Sequence, residues 1–331
     1  MTNTDNISGQ WPDFPIMPTT SAKPATYFLY GLRVRSDLPL PLAPIADNGA
    51  DLVICRKGLI PRPDGPAPQV MIRDWERQGE SWLLHFHNVN GHVLDFQYDV
   101  EGSRISICQS YPEWQDSLFV LMCAAMAAAF NLRGAPVLHA TSLVKDGGAF
   151  LLMGSSGVGK STLAAALGAA GLSFHADDVA ALSWCADRPI VQAGYPRLKI
   201  TPQTGAALGW PANTLLSIFV TVPKYREKWV DVSALPGGFH DGPAHLKAVY
   251  LLSGRSADLN APRLEVLSPV QGALAMARHL YGQPWLEIPA GYALSLCTRV
   301  AGTTPVYRLQ LPEGLDRLRL SARAVMTHME R

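Results

Sequence analysis

Three glycines, a lysine and a serine carry the first chemistry of this chain: Gly154, Gly157, Gly159, Lys160 and Ser161 fall within LLMGSSGVGKSTLAAAL, residues 151–167. The pattern G-x4-G-K-S suits a polyphosphate. Glycine lets backbone N–H groups approach phosphate oxygens and accepts the positive φ angles of a tight turn. A helix beginning near Lys160 would aim its unpaired N–H groups and positive dipole end at the same anion. Lys160 adds a charge that can reach the β and γ phosphates, and the Ser161 hydroxyl is placed to ligate Mg2+. Ser155, Ser156, Val158 and Thr162 complete the expected nucleotide-contacting stretch. With glycine at ~7% of residues, a chance match in a chain of this length is on the order of a 1% event. A glycine-rich turn without a ligand is the alternative.

Asp177 and Asp178 follow shortly after. Adjacent carboxylates repel, so a purely structural site rarely wants both. Facing bound phosphates, one could hold magnesium and the other could take a proton from an attacking hydroxyl; spacing does not decide which does which. The alternative is that one caps a following helix. Cations that could offset transition-state charge are Arg197, then Lys224, with Lys199, Arg226 and Lys228 nearby; a solvated basic loop is the competing reading. His85, His87 and His92 lack the companions of a metal set and read as half-exposed strand histidines.

These side chains need a scaffold. The apolar run ending at Met153 predicts a buried strand feeding the loop, and 137–145 a strand joined to it by a turn at 146–148. This puts His139 on the strand beside the loop, either near the phosphates or as a core histidine. Residues 172–176 predict a short strand ending in the aspartates, and 195–202 a strand with Arg197 and Lys199 on one face. Upstream, short β-like runs at 27–35, 51–56, 70–72, 82–87, 92–98 and 104–108 are separated in part by Asn90-Gly91 and Glu101-Gly102. Asp116 and Ser117 are expected to cap a helix running to Phe130. Further helices are expected at 270–281, 289–300 and 315–329, with strands at 247–253 and 306–311. The chain thus divides into a flexible leader (1–25), a β-rich N-terminal domain (26–112) and an α/β domain (113–331).

The loop Gly154 to Ser161, Asp177-Asp178 after it and His139 in VLHATSLV before it resemble the HPr kinase/phosphorylase family. Within it the chain looks most like the HPr-kinase-like proteins of lasso-peptide gene clusters. YGLRVRSDLPLP at 30–41 and GYPRLK at 194–199 extend the likeness over most of the chain from about residue 27. The resemblance implies an α/β P-loop kinase domain of HPr-kinase/PEP-carboxykinase-like type and ATP with Mg2+. It implies His139 near the phosphates, and an acceptor that is the C-terminal hydroxyl residue of a precursor peptide. It also suggests a homo-oligomer. Ser155 stands where HPr kinases proper have aspartate, and their glutamate-containing arginine-glycine signature is absent. Both departures weigh against phosphorolysis and against HPr, and leave ATP-dependent transfer. A small-molecule kinase and a nucleotide-binding regulator without transfer are the rival readings.

Composition bounds the rest. The 331 residues are 48% hydrophobic and 17% charged, with net charge +1, which describes a globular chain and gives no sign of nucleic acid or membrane as the main partner. The five cysteines include no C-x-x-C pair, and the N-terminus lacks a secretory pattern, so a reduced cytosol is expected. The longest apolar run, 118–130, is thirteen residues, short of a bilayer span and readable as a buried helix.

Overall fold

The structure, a computed structural model, describes residues 23–330 apart from 63–64, 69–71, 223–224 and 284. Most of the predicted leader, the first part of the expected strand at 70–72 and the candidate Lys224 lie outside the described residues. Seven strands come first: β1 (Ala25–Leu29), β2 (Leu32–Ser36), β3 (Leu52–Leu59), β4 (Ile72–Gln78), β5 (Ser81–His87), β6 (Val93–Asp99) and β7 (Arg104–Gln109). They form one sheet in the order β1-β2-β3-β7-β6-β5-β4. The later strands are an antiparallel meander; two of its three turns fall at the Gly pairs read from the sequence, with Gly91 and Gly102 both at positive φ, and the third, between β4 and β5, falls at Gly79 and Glu80.

A continuous helix, Gln115–Leu132, follows. It comprises α1 (Gln115–Val120), a π-helical stretch (Leu121–Ala125) and α2 (Met126–Leu132). Its length and apolarity would suffice for a membrane span, but most of it is buried. Met122, Ala125 and Ala128 share an apolar cluster with Leu84, Phe96 and Ile105 of the first sheet and Leu138, Leu151 and Val249 further on. Asp116 does not cap this helix: its carboxylate accepts from the backbone N–H groups of Val220 and Thr221 and from the Thr221 hydroxyl, clamping a segment about a hundred residues away.

The remaining chain builds a nine-stranded sheet and a three-stranded one. In order come β8 (Leu138–Lys145), β9 (Gly148–Met153), α3 (Lys160–Ala169), β10 (Ser173–Ala176), β11 (Val179–Ala180), β12 (Leu182–Cys185), β13 (Arg188–Val191), β14 (Arg197–Ile200) and α4 (Pro202–Leu208). After them come β15 (Leu216–Ser217), β16 (Lys228–Asp231), β17 (Ala244–Ser256), β18 (Arg263–Val266), α5 (Pro269–Ala277), α6 (Ala290–Ala301), β19 (Val306–Pro312) and α7 (Leu318–Met329). β9 lies between its hairpin partner β8 and the long parallel strand β17, which pairs on its other edge with β13 and β19. Strand alternation explains why β9 is apolar throughout: Ala149, Leu151 and Met153 face the cluster shared with the first sheet, while Phe150 and Leu152 face a second cluster under α3 and α7.

One expected helix is shorter than its apolar pattern. α5 stops at Ala277, not 281, because the chain turns out to pair with β8: Leu280 bridges Leu138, and Tyr281 N–H donates to Val137 O. Arg278 to Gly282 thereby line the same cavity as the phosphate loop.

Candidate active site

The loop after β9 has the form its glycines require. Gly154, Gly157 and Gly159 all take positive φ, at 142°, 80° and 111°. At Gly154 the need is also steric, since a Cβ there would stand 2.8 Å from the Leu252 carbonyl oxygen of β17. At Gly157, which lines the cavity described below, a Cβ would meet no protein atom within 4 Å. Lys160 begins α3 and is buried, its Nζ donating to the Gly154 and Ser155 carbonyls at 3.0 and 3.3 Å. Burial pulls the Lys160 ammonium below its ordinary pKa, and the two aspartates pull it partly back.

The aspartates lie where β10 and β11, both paired with β8, are interrupted. Asp178 has φ +61°, in the left-handed region that Asp tolerates better than most residues. This breaks the alternation that would send neighbouring side chains to opposite faces. Neither aspartate caps a helix, since the next element is β11.

Asp177 is buried, and its carboxylate accepts from Thr141 Oγ1 at 2.7 Å, Ser161 Oγ at 3.2 Å and Lys199 N–H at 3.0 Å. Burial, then the adjacent Asp178, push its pKa up to about 6. Asp178 meets His139 Nε2 at 3.3 Å and Lys199 Nζ at 2.8 Å. Burial alone would raise Asp178, but Lys199 and His139 outweigh it and hold the carboxyl well below the usual range. Lys199 opposes both, its N–H on one aspartate and its ammonium on the other. Burial disfavours its charge, yet Asp178, Glu227 at 3.8 Å and Asp177 keep that ammonium protonated.

Asp178, His139 and Lys199 adjoin a cavity of about 830 Å³, bounded also by the loop residues Ser155, Ser156, Gly157, Gly159, Lys160, Ser161 and Thr162, by Arg278 to Gly282 and by Trp285, while Asp177 lies behind Ser161 and does not line it. Ser161 Oγ and the Asp177 carboxylate are hard oxygen donors of the kind Mg2+ takes, with substrate phosphates and water supplying the remaining ligands. Among the described residues no group of three or more His, Cys, Asp or Glu side chains could hold a metal by itself. His85 instead bonds Asp95, and His92 packs on Tyr111.

Arg197 does not line the cavity; it pairs with Asp231, its register partner on β16. The cation this strand brings to the site is Lys199, two residues on and on the same face. Arg226 lines the cavity, whereas Lys228 does not. Thr141 was not singled out in the sequence, although it shares a strand face with His139 two residues before it. Arg73, Glu227, Arg278, His279 and Tyr281 also reach the cavity without any local signal.

No family model matches the chain, and no curated protein matches it. Among solved structures, the HPr(Ser) kinase/phosphatase from Coxiella burnetii matches 59% of this chain and 99% of its own length, at 18% identity and a TM-score of 0.31. That score is too low for the likeness to assign fold or activity, and the site stands on its own geometry.

Proposed function

We propose that the protein is an ATP-dependent kinase of the HPr-kinase-like type that phosphorylates a Ser or Thr hydroxyl of a peptide, at the C-terminal hydroxyl residue of a precursor of the lasso class. The observation that carries the kinase reading is the contact of Ser161 Oγ with the Asp177 carboxylate at 3.2 Å, beside Asp178 and above a glycine loop whose lysine starts a helix. The peptide class comes from the sequence resemblance.

In this reading Lys160 leaves its two loop carbonyls for the β and γ phosphates, joined there by the backbone N–H groups of the loop and of the first turn of α3. Ser161 and Asp177 would hold Mg2+, which when bound neutralises charge on the β and γ oxygens. The acceptor oxygen bonds to the γ phosphorus as the bond to the β–γ bridging oxygen breaks, ADP departs, and the hydroxyl proton passes to Asp178. His139 and Lys199 keep that carboxylate ionised and oriented. A carboxylate of low pKa is a weak base, which suits a loose transition state in which the proton leaves late.

The test is transfer of labelled γ-phosphate to serine-containing peptides. Lys160→Ala should lower turnover at least 10²-fold. Asp178→Asn should bind nucleotide and lose 10²- to 10⁴-fold in turnover, the range for a proton-transfer group. Nucleotide binding by the parent without transfer to any peptide or small alcohol would reject the kinase in favour of a regulator.

A further inference from the structure

The cavity has a second end, remote in sequence from the phosphate loop. Phe86 and Trp285 line it against one cation from the first sheet, Arg73, whereas Phe119, with Phe219 packed on it, stands 5.0 Å from the Lys199 ammonium near the aspartates. Arg73 lies on β4 directly opposite Phe86, just as Trp75 lies opposite Leu84, and both Leu84 and Phe86 are buried. Cross-strand partners share a face. Arg73 therefore projects on the same face as these apolar residues, from the edge strand of the sheet, and stays exposed.

Its guanidinium carbon lies 5.2 Å from the Phe86 ring centre and 5.0 Å from that of Trp285. Two rings hold it, and no carboxylate among the described residues lies within ion-pair distance of it. Lys199 is different: Asp178 and Glu227 engage it. Stacking on aromatic faces leaves the N–H edge of a guanidinium free for a planar, bidentate anion. From Arg73 a wall of side chains leads back to the aspartates: Trp285 stands 6.4 Å from Tyr281, Tyr281 5.4 Å from His139, and His139 bonds Asp178.

We infer that Arg73 is a specificity-determining residue that binds a carboxylate of the acceptor, so that the substrates are hydroxyl compounds bearing a carboxylate apart from the reacting oxygen. This rests on the proposed reading of the cavity as the donor and acceptor ends of one transfer. The carboxylate could be the terminal group of a peptide or an acidic side chain, and both present the same planar pair of oxygens.

The experiment uses full-length protein and fluorescent octapeptides of Gly, Ala, Asn and Gln with one serine. One pair compares a C-terminal serine as free acid and as amide. A second, amidated pair compares Glu with Gln three residues before the serine. Binding is read by anisotropy and phosphate transfer separately. The parent should favour the acid of at least one pair about 10- to 100-fold, the worth of a charge-assisted hydrogen bond, and the responding pair names the source. Arg73→Ala should bring that ratio to about 1, through acceptor KM more than kcat. Arg73→Glu should prefer a Lys-bearing octapeptide over the Gln one, a gain that misfolding cannot produce. Equal binding of acid and neutral peptides by the parent overturns the inference. So does a rise in ATP KM on Arg73→Ala with peptide discrimination intact, which would make the aromatic end a nucleobase pocket. Acid-selective binding without transfer rejects the kinase reading and leaves Arg73's role standing.

Discussion

Asp177 and Asp178 are chain neighbours with opposite electrostatic environments. Among the described residues Asp177 has three hydrogen-bond donors but no cationic side chain bonded to it, whereas Asp178 is bonded by an ammonium and an imidazole. The raised pKa of Asp177 means that the folded protein holds this proton more tightly than the unfolded chain does. Folding is therefore penalised once pH rises through about 6, and the penalty is absent below the ordinary carboxylate range. In metal-free, nucleotide-free protein, Asp177→Asn should raise stability at pH 8 by about 1–3 kcal/mol, with the gain fading towards pH 4. Parallel stability–pH curves for parent and variant, measured by urea unfolding, would refute this. At this scale the sequence is readable where function is local: the loop glycines, Lys160, Ser161 and both aspartates lie within 25 residues. Arg197 and Lys199 are equivalent by strand alternation. Only the register of β14 on β16, which hands Arg197 to Asp231, makes Lys199 the residue at the cavity.

At the scale of elements, the loop depends on the strand beneath it. Gly154 sits against the Leu252 carbonyl, so Gly154→Ala adds a backbone clash to an unfavourable φ, while Gly157→Ala meets only the φ cost of about 1–2 kcal/mol. Gly154→Ala should be the more destabilising by thermal unfolding. Gly157→Ala should lose nucleotide affinity beyond its loss of stability, because Gly157 lines the cavity. Equal unfolding temperatures for the two variants would contradict this account. The hairpins at Asn90-Gly91 and Glu101-Gly102 follow from alternation and turn residues, but the run 27–35 is not one strand: it folds into the hairpin of β1 and β2, turning at Tyr30 and Gly31, and β4 continues to Gln78, well past the expected 70–72. The end of α5 is not visible in the sequence either: residues 278–281 contain no helix breaker, and the pairing of Leu280 and Tyr281 with the chain at Val137 and Leu138 is what ends the helix. Asp116 fails as a cap for a similar reason, since a distant segment offers it three donors.

For the whole molecule, one apolar cluster runs from the first sheet through the helix of 115–132 into the central sheet, across the boundary at 112/113 that the order of expected elements suggests. The Tyr30 and Tyr98 hydroxyls reinforce it by donating to the Met122 and Ala125 carbonyls of that helix. A fragment beginning at residue 113 would expose Met122, Ala125 and Ala128, and should aggregate or bind a hydrophobic dye strongly. A soluble fragment with a cooperative transition near that of the full chain would show instead that the cluster is dispensable. The long strand β17 adds a consequence for biosynthesis. It runs beside β9 and supplies the carbonyl on which Gly154 rests, yet it is translated about a hundred residues after β9. On the ribosome the glycine turn has no floor until residue 252 has emerged, so a nascent chain halted earlier cannot be rescued by nucleotide, and the apolar β8–β9 hairpin is left to chaperones meanwhile.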